Sequence, residues 1–373
     1  MDAPSFLFIG DSGCGKTTLL AGMYDILNRG YTGYHIEATA ETSKMFNDII
    51  TNMRNKERGY ARFPSASINC IEYNFALDYN KSHVYNFACI DFPGEKLCEP
   101  QVNDNDCLLL NAQIQKSPCC FICVSAELFL KNGSSDTHIK EDNSVIIERI
   151  RNETLKIRRY VASYIHNSPR DIRAAIIVTK YDLIQDIIIP HELNSIIKKA
   201  FAEIFFPSSS SSKRRIVAIF KTSAGKKISN NNYSGEYGPM WLHLPVLYGI
   251  LWTLTNETIN KTQAIKAKDQ NALVLNDNMK KISNDVKVLH SKKINWFNRK
   301  SIEKKLRNQH EKQIKVQNDI KENTNEIRNL SNAIKKHEYD VKQIFRDLSH
   351  SEQSVFYNGN EISWEKLMSE YWE

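Results

Sequence analysis

The order of apolar and polar positions divides the chain into two parts that meet near residue 256. In the first part, short apolar runs such as residues 5–9 alternate with longer stretches in which apolar residues recur every three or four positions. Short apolar runs bounded by turn residues predict buried strands, whereas the longer period predicts helices. The alternation predicts an α/β fold over residues 1–256: a three-layer sandwich in which a mostly parallel sheet lies between two layers of helices.

Individual elements of this α/β part follow from the same pattern. Strands are predicted over residues 5–9, 68–77, 83–91, 119–130, 174–179 and 216–220. Helices are predicted from residue 16 onward and over residues 41–58, 139–166, 190–205 and 241–255. The last of these helices is apolar nearly all round, so we expect it to pack against the sheet.

A different pattern begins after residue 255. Glycine is absent up to Gly359, and apolar residues take a 3–4 spacing within a sequence rich in Lys, Asn, Glu and Gln. This spacing is typical of a coiled coil. Residues 291–300 interrupt it, so we expect an antiparallel coiled-coil hairpin over residues 257–349 with its tip at 291–300; a continuous rod is the alternative. Residues 350–373 are expected to form an acidic and aromatic C-terminal tail.

Composition favours a cytoplasmic protein. The 373 residues suffice for one large core and a second element, and no stretch approaches the roughly 18 apolar residues of a membrane span. The first residues do not resemble a signal peptide. All eight cysteines lie between Cys14 and Cys123 without a disulfide or zinc spacing, which predicts buried thiols in a reducing compartment. A net charge of +7 is modest for this length, which argues against nucleic acid as a partner.

The stretch GDSGCGKTT follows the first strand and precedes a helix, the context in which the pattern GxxxxGK[ST] holds a polyphosphate. Its glycines let several backbone N–H groups turn toward one point, to which the helix directs its positive end. Lys16 is expected to neutralise the β and γ phosphates, and the Thr17 hydroxyl to bind the Mg²⁺ that bridges them. The expected binding residues of this loop are Gly10, Asp11, Ser12, Gly13, Cys14, Gly15, Lys16, Thr17 and Thr18.

Three more candidate stretches each follow a predicted strand. The first is Asp91-Phe-Pro-Gly94, in which the carboxylate suits a magnesium ion and the Gly94 N–H can contact a γ-phosphate oxygen. The others are TKYD at residues 179–182 and TSAG at residues 222–225. All are expected at the carboxyl edge of one sheet, beside the glycine-rich loop.

In this order, the four stretches resemble the G1, G3, G4 and G5 motifs of Ras-like P-loop GTPases. The helix over residues 41–58, the Phe-Pro turn after it and the next strand are similar to the bacterial double-GTPase group in particular. The resemblance covers residues 1–256. It implies a GTPase domain that binds GTP or GDP together with Mg²⁺.

The resemblance also implies how the base is recognised. By position, Asp182 would accept the N1 and N2 protons of guanine, which adenine lacks. Lys180, which follows Thr179 in the same motif, would lie along the base. The backbone of Ser223 and Ala224 would meet the guanine O6 atom.

One departure from the Ras-like pattern concerns the magnesium ion. The threonine of switch I that closes on Mg²⁺ in the family corresponds to Ser67, whose hydroxyl can supply the same oxygen. Thr39 is the alternative at this position. The expected metal ligands are therefore Thr17, Ser67 and Asp91.

A second departure concerns hydrolysis. Glu95 stands where Ras-like enzymes have a glutamine directly after DxxG. A carboxylate can accept a hydrogen bond from the attacking water but cannot donate one to the γ-phosphate, so hydrolysis is expected to be slow without an activator. Lys16, Gly94 and Glu95 are the expected catalytic residues. Arg62 is either an arginine finger in cis or a solvated loop residue.

Basic residues surround an aromatic pair, Trp296 and Phe297, at the expected hairpin tip. The basic residues are Lys280, Lys281, Lys287, Lys292, Lys293, Arg299, Lys300, Lys304, Lys305 and Arg307. This combination suits an anionic membrane surface or an acidic protein partner. In the alternative interpretation, the aromatic pair closes the end of the hairpin and the basic residues are solvated.

Three functions fit these features. The first is a GTP-dependent molecular switch that controls a protein partner through its coiled-coil arm, in a bacterial defence or signalling system. The second is a dynamin-like mechanochemical GTPase, which would add peripheral membrane association to the cytoplasmic location. The third is a scaffold protein stabilised by bound nucleotide.

Overall fold

The computed structural model describes residues 4–54, 64, 70–96, 112–113, 117–131, 141–168, 171–207, 213–226, 236–291 and 299–372. The chain forms two compact units. Met1–Thr253 and Ile344–Glu373 make the first unit, and Leu254–Gln343 makes the second.

The first unit is built on a nine-stranded sheet. The strands of this unit are β1 (Ser5–Ile9), β2 (Tyr34–Ala38), β3 (Ile71–Tyr79), β4 (Ser82–Asp91), β5 (Cys120–Ser125), β6 (Ile172–Thr179), β7 (Arg215–Lys221), β8 (Ser223–Lys226), β9 (Glu236–Met240), β10 (Ser354–Tyr357) and β11 (Asn360–Ile362). The sheet order is β11-β10-β7-β6-β5-β1-β4-β3-β2, and β8 and β9 form a separate two-stranded sheet.

The centre of the large sheet is parallel and its flanks are antiparallel. Strands β4, β1, β5, β6 and β7 pair in parallel, whereas β3 and β2 on one side and β10 and β11 on the other are antiparallel. Every residue of β5 and β6 is buried, as expected for central strands covered on both faces. The predicted α/β class with a largely parallel sheet is confirmed.

Helices cover this sheet and extend beyond it. They are α1 (Lys16–Asn28), α2 (Ala40–Arg54), α3 (Asn143–Glu153), α4 (Leu155–Asn167), α5 (Pro190–Ala200), α6 (Ala202–Phe205), α7 (Leu244–Ser291), α8 (Arg299–Ser349) and α9 (Trp364–Trp372). Gly249 lets the first part of α7 approach the sheet closely, because a Cβ there would lie 2.7 Å from Phe121 Cζ and 3.2 Å from Phe6 Cζ.

The helix predicted over residues 139–166 is two helices, α3 and α4. The chain leaves helical geometry at Thr154, where φ is −95° and ψ is 13°. The Thr154 hydroxyl donates to the carbonyl oxygen of Ile150 at 2.6 Å, and this bond to the preceding turn bends helices. The sequence around Thr154 has no glycine or proline, and the apolar pattern continues through the break. The pattern therefore predicted one helix.

The C-terminal segment differs from its prediction as a separate tail, because it adds two strands and a helix to the first unit. Strand β10 pairs with β7. The Gln353 side chain accepts the Lys221 N–H at 2.7 Å, and Trp364 Nε1 donates to the Gln353 carbonyl oxygen at 3.1 Å. Val355, Phe356 and Trp364 are buried. These apolar side chains explain why the segment packs on the sheet.

The second unit is a helical hairpin, as predicted. Lys268 of α7 pairs with Glu326 of α8, and further along α7 Asp285 accepts a hydrogen bond from Gln309 of α8 at 3.3 Å. Because the residue numbers rise on one helix as they fall on the other, the helices are antiparallel. Among the helices of the described residues, none is long and apolar enough to cross a membrane. The expected tip, with Trp296 and most of its neighbours, lies outside the described residues.

Candidate functional site

The loop between β1 and α1 has the backbone geometry of an anion-binding turn. Gly13 and Gly15 have positive φ angles of 74° and 95°, which residues with a Cβ rarely adopt. The Cys14 N–H donates to the Asp11 carbonyl oxygen at 3.3 Å and closes the turn, and α1 begins directly at Lys16. The N–H groups of a first helical turn have no carbonyl partner within the helix, so they favour a bound anion at this loop.

Lys16 lies buried within this loop and is only 6% exposed. Its Nζ donates to the carbonyl oxygens of Gly10 at 2.8 Å and Asp11 at 3.0 Å, and lies 3.8 Å from Cys14 Sγ. These acceptors are neutral, so they solvate the ammonium group without cancelling its charge. Lys16 therefore keeps a positive charge available to an anionic ligand at the loop.

Thr17 and Asp91 bring a hydroxyl and a carboxylate together beside the loop. The Thr17 hydroxyl donates to Asp91 Oδ2 at 2.6 Å, and Asp91 is fully buried. The register of the sheet explains this contact, because Asp91 ends β4 opposite Phe8, two residues before the loop. Hydroxyl and carboxylate oxygens are the ligands that Mg²⁺ prefers. The donor set of this pair therefore fits a magnesium ion.

Gly94 and Glu95 follow β4 and lie against the same loop. A Cβ on Gly94 would stand 2.2 Å from the Ser12 backbone nitrogen and 2.4 Å from the Asp11 carbonyl carbon. Only glycine fits this approach. Glu95 is exposed, and its Oε1 accepts a hydrogen bond from the Ser12 hydroxyl at 3.2 Å. The structure thus places the DxxG segment directly on residues 10–15, the loop between β1 and α1 that is the candidate phosphate loop.

Thr179 and Lys180 join the end of β6 to two neighbouring segments. The Thr179 hydroxyl donates to the Cys14 carbonyl oxygen at 2.5 Å, which ties this strand end to the phosphate loop. Lys180 has a positive φ of 55°, and its Nζ donates to Glu127 Oε2 at 2.7 Å. Glu127 lies in a short 3₁₀ helix after β5. The sequence motifs gave no signal for Glu127, because it is distant from Lys180 along the chain.

Asp182 and Ser223 meet across the ends of β6 and β7. The Ser223 hydroxyl lies 2.6 Å from Asp182 Oδ1 and 2.6 Å from the Gly225 carbonyl oxygen, and its one proton can be donated to either acceptor. The Tyr181 N–H donates to the Thr222 carbonyl oxygen at 3.0 Å. Asp182 is buried. Ala224 follows Ser223 on β8. The structure therefore brings the TKYD and TSAG stretches together at the carboxyl edge of the sheet.

Three residues from the sequence predictions are not part of this arrangement. Ser67 and Arg62 lie outside the described residues. Thr39 precedes α2, where its hydroxyl accepts the Thr42 N–H at 3.3 Å. Strand β2, which ends next to Thr39, is separated from the strand of Asp91 by β3, and two strand spacings amount to roughly 9–10 Å. Thr39 therefore follows a strand that lies two positions from the strand of Asp91.

Comparison with known proteins identifies the family. The family model described as Double-GTPase 2 matches residues 7–232. The chain belongs to the double-GTPase 2 family. The match spans the phosphate loop, the DxxG segment and the TKYD and TSAG stretches, so the arrangement described above is that of a GTP-binding protein.

Among solved structures, this double-GTPase chain is similar to the signal recognition particle receptor SRb-GTP/SRX complex from Chaetomium thermophilum. The two chains are 16% identical, and the similarity covers 56% of this chain and 86% of that one with a TM-score of 0.26. No curated protein matches the sequence.

Proposed function

We propose that this protein is a Mg²⁺-dependent molecular switch that binds GTP and hydrolyses it slowly. The observation that carries the proposal is the 2.6 Å contact between Thr17 and Asp91. This pair lies at the same carboxyl edge of the sheet as Lys16 and the Asp182–Ser223 pair. These groups supply a phosphate site, a magnesium donor set and a carboxylate for the base at the carboxyl ends of neighbouring strands. Ligands of α/β proteins bind at this edge.

On the phosphate side, Lys16 exchanges partners. Its two carbonyl acceptors, Gly10 and Asp11, are replaced by phosphate oxygens, which are stronger acceptors because they are charged. Thr17 and Asp91 would hold the magnesium ion. The ion would supply positive charge that offsets the negative charge of the phosphates.

On the base side, Asp182 accepts the two guanine protons. The Ser223 hydroxyl lies 2.6 Å from Asp182 Oδ1, and donation of its proton to this oxygen would orient the carboxylate toward the base. Lys180 is held by Glu127, and its aliphatic part lies along the base. An adenine ring offers no pair of donors to Asp182, so GTP is preferred over ATP.

Glu95 limits the chemical step. It lies at the phosphate loop and already accepts a hydrogen bond from Ser12. Its carboxylate accepts a hydrogen bond from the attacking water but donates none to the γ-phosphate, and its negative charge repels that group. The bound GTP state therefore persists, and a protein partner that recognises this state binds to the long helical hairpin.

Nucleotide binding by the purified full chain tests this proposal. Calorimetric titration with GTP, GDP and ATP in Mg²⁺ should show binding of the guanine nucleotides, and chelation of Mg²⁺ should weaken GTP binding. Lys16→Ala should abolish binding in a folded protein. Asp182→Asn should shift the preference from GTP toward xanthosine triphosphate, because the amide donates to the xanthine carbonyl.

Asp171→Asn is the matched control, since Asp171 precedes β6 at the end opposite Asp182 and pairs with Arg214 on the surface. It should leave nucleotide preference unchanged. Tight GTP binding by folded Lys16→Ala, or an unchanged base preference of Asp182→Asn, would overturn the assignment of the site. Liposome co-sedimentation that depends on a non-hydrolysable GTP analogue would favour the membrane-associated alternative over the switch.

A further inference from the structure

A buried carboxylate on α1, outside the site described above, connects three elements. Asp25 has a side chain that is 8% exposed. Arg54, at the end of α2, contacts both of its carboxylate oxygens at 2.7 Å. Arg29 donates to it at 2.9 Å, and the Tyr237 hydroxyl donates to it from β9 at 2.9 Å. A buried carboxylate with this many charged and neutral donors is a strong anchoring point.

Tyr237 is held from two sides. Its hydroxyl donates to Asp25, and the Arg54 guanidinium lies over its ring, 5.1 Å from the centroid. Burial and then the nearby negative charge of Asp25 raise the pKa of Tyr237, so the hydroxyl stays protonated and remains a donor. Tyr237 thus fixes β9 to α1 and α2.

The strand that Tyr237 fixes, β9, is paired with β8, which begins at Ser223 in the TSAG stretch. In the β8–β9 sheet, Tyr237 lies opposite Gly225, and Ser223 lies opposite Met240. The Gly225 N–H donates to the Ser223 hydroxyl oxygen at 3.1 Å, and the Ser223 hydroxyl contacts Asp182. A continuous set of contacts therefore runs from α1 to the carboxylate that reads the base.

This set of contacts matters because β8 and β9 are separate from the large sheet. A two-stranded hairpin by itself is only marginally stable in water. Backbone bonds of Thr222, such as the one that it accepts from the Tyr181 N–H, hold the start of β8 next to β6. On β9, Tyr237 adds a side-chain attachment through Asp25 and Arg54.

We propose that Tyr237, anchored by Asp25 and Arg54, is a positioning residue for guanine recognition: it holds β8 so that Ser223 orients Asp182 toward the base. The inference rests on the proposed function. Helix α1 would then contribute to both sides of the site: to the phosphates through its first turn, and to the base through Asp25 and Tyr237.

The test separates the base side from the phosphate side. The ligands are GDP, inosine diphosphate, which lacks the exocyclic amine that Asp182 reads, and inorganic tripolyphosphate, which has no base. Tyr237→Phe removes the hydroxyl and keeps the ring. It should weaken GDP binding about tenfold, a loss of about 1.4 kcal/mol, and should narrow the ratio of GDP to inosine diphosphate affinity. Tripolyphosphate affinity should stay the same.

Tyr164→Phe is the matched control. The Tyr164 hydroxyl is buried and donates to the Arg173 carbonyl oxygen at 3.2 Å, near the end of β6 opposite the site. It should leave the GDP to inosine diphosphate ratio unchanged. An unchanged ratio in Tyr237→Phe, or an equal loss of GDP and tripolyphosphate affinity, would overturn the inference.

A double-mutant cycle checks that Tyr237 acts through Asp25. Asp25→Asn keeps the shape of the side chain and removes its charge. If the two residues act together, the double variant should lose no more GDP affinity than the single variant with the larger loss. A loss of binding free energy equal to the sum of the two single losses would refute the coupling. A wild-type protein that binds no guanine nucleotide would refute the proposed function itself, which distinguishes that failure from failure of the positioning inference.

Discussion

Replacing Gly94 with alanine should slow GTP hydrolysis and weaken GTP binding more than GDP binding. The added Cβ would lie 2.2 Å from the Ser12 nitrogen, 2.4 Å from the Asp11 carbonyl carbon and 2.7 Å from the Gly10 carbonyl oxygen. All three are backbone atoms, so no rotamer change relieves the overlap. Since comfortable contacts between carbon atoms are about 3.5 Å or longer, one of the two segments must move by more than about 1 Å.

The size of this displacement sets the expected effect. A misplacement of about 1 Å at a reacting centre costs on the order of a hundredfold in rate, so single-turnover GTP hydrolysis by Gly94→Ala should fall by about that factor. GTP affinity should fall more than GDP affinity, because the Gly94 N–H faces the γ-phosphate in the proposed complex. Overpacking should lower the free energy of unfolding by about 1–3 kcal/mol.

Single-turnover hydrolysis with protein in excess, together with urea unfolding, measures both quantities. Gly238→Ala is the control, because a Cβ at Gly238 would meet no atom within 4 Å and should change neither. Hydrolysis by Gly94→Ala at the wild-type rate would refute the close packing of the DxxG segment on the phosphate loop.

Three other predictions follow from single side chains. Glu95→Gln should raise single-turnover GTP hydrolysis at similar GTP affinity; a severe loss would instead make Glu95 a general base. Burial lowers the pKa of His243 to about 3 from 6.5, so the unfolded chain binds the proton first and stability falls as the pH drops from 6.5 toward 3. The loss is about 2 kcal/mol at pH 5, and His243→Phe should remove it in urea titrations. Trp364→Ala should cost about 3–5 kcal/mol of unfolding free energy; no change would contradict the packing of the C-terminal segment.

The phosphate loop could be predicted from the sequence because its determinants are local. Its three glycines and Lys16 all lie within nine residues, directly after an apolar strand. The structure shows the positive φ angles of Gly13 and Gly15 that such a glycine-rich turn requires. The sheet class was predictable for a related reason, since strands buried on both faces are apolar throughout.

Contacts between distant segments could not be predicted in this way. Strand β10 has four residues, too few for a period to be recognised, and its position is decided by pairing with β7. The partners Glu127 of Lys180 and Tyr237 of Asp25 lie on other elements, where a tyrosine or glutamate has no motif around it. Likewise the break at Thr154 depends on one hydroxyl that bonds to the preceding turn.

The two sides of the site therefore respond differently to substitution. The phosphate side is built from backbone groups of one short loop, against which Gly94 leaves no space for a side chain, so substitutions there should have large effects on binding or catalysis. The base side depends on side-chain hydrogen bonds between separate strand ends, such as Ser223 to Asp182. Each such bond contributes about 1–3 kcal/mol of free energy. Substitutions on the base side should therefore reduce the affinity for guanine nucleotides in steps rather than abolish it. Base selectivity is consequently the property of this site that substitutions away from the motifs can tune.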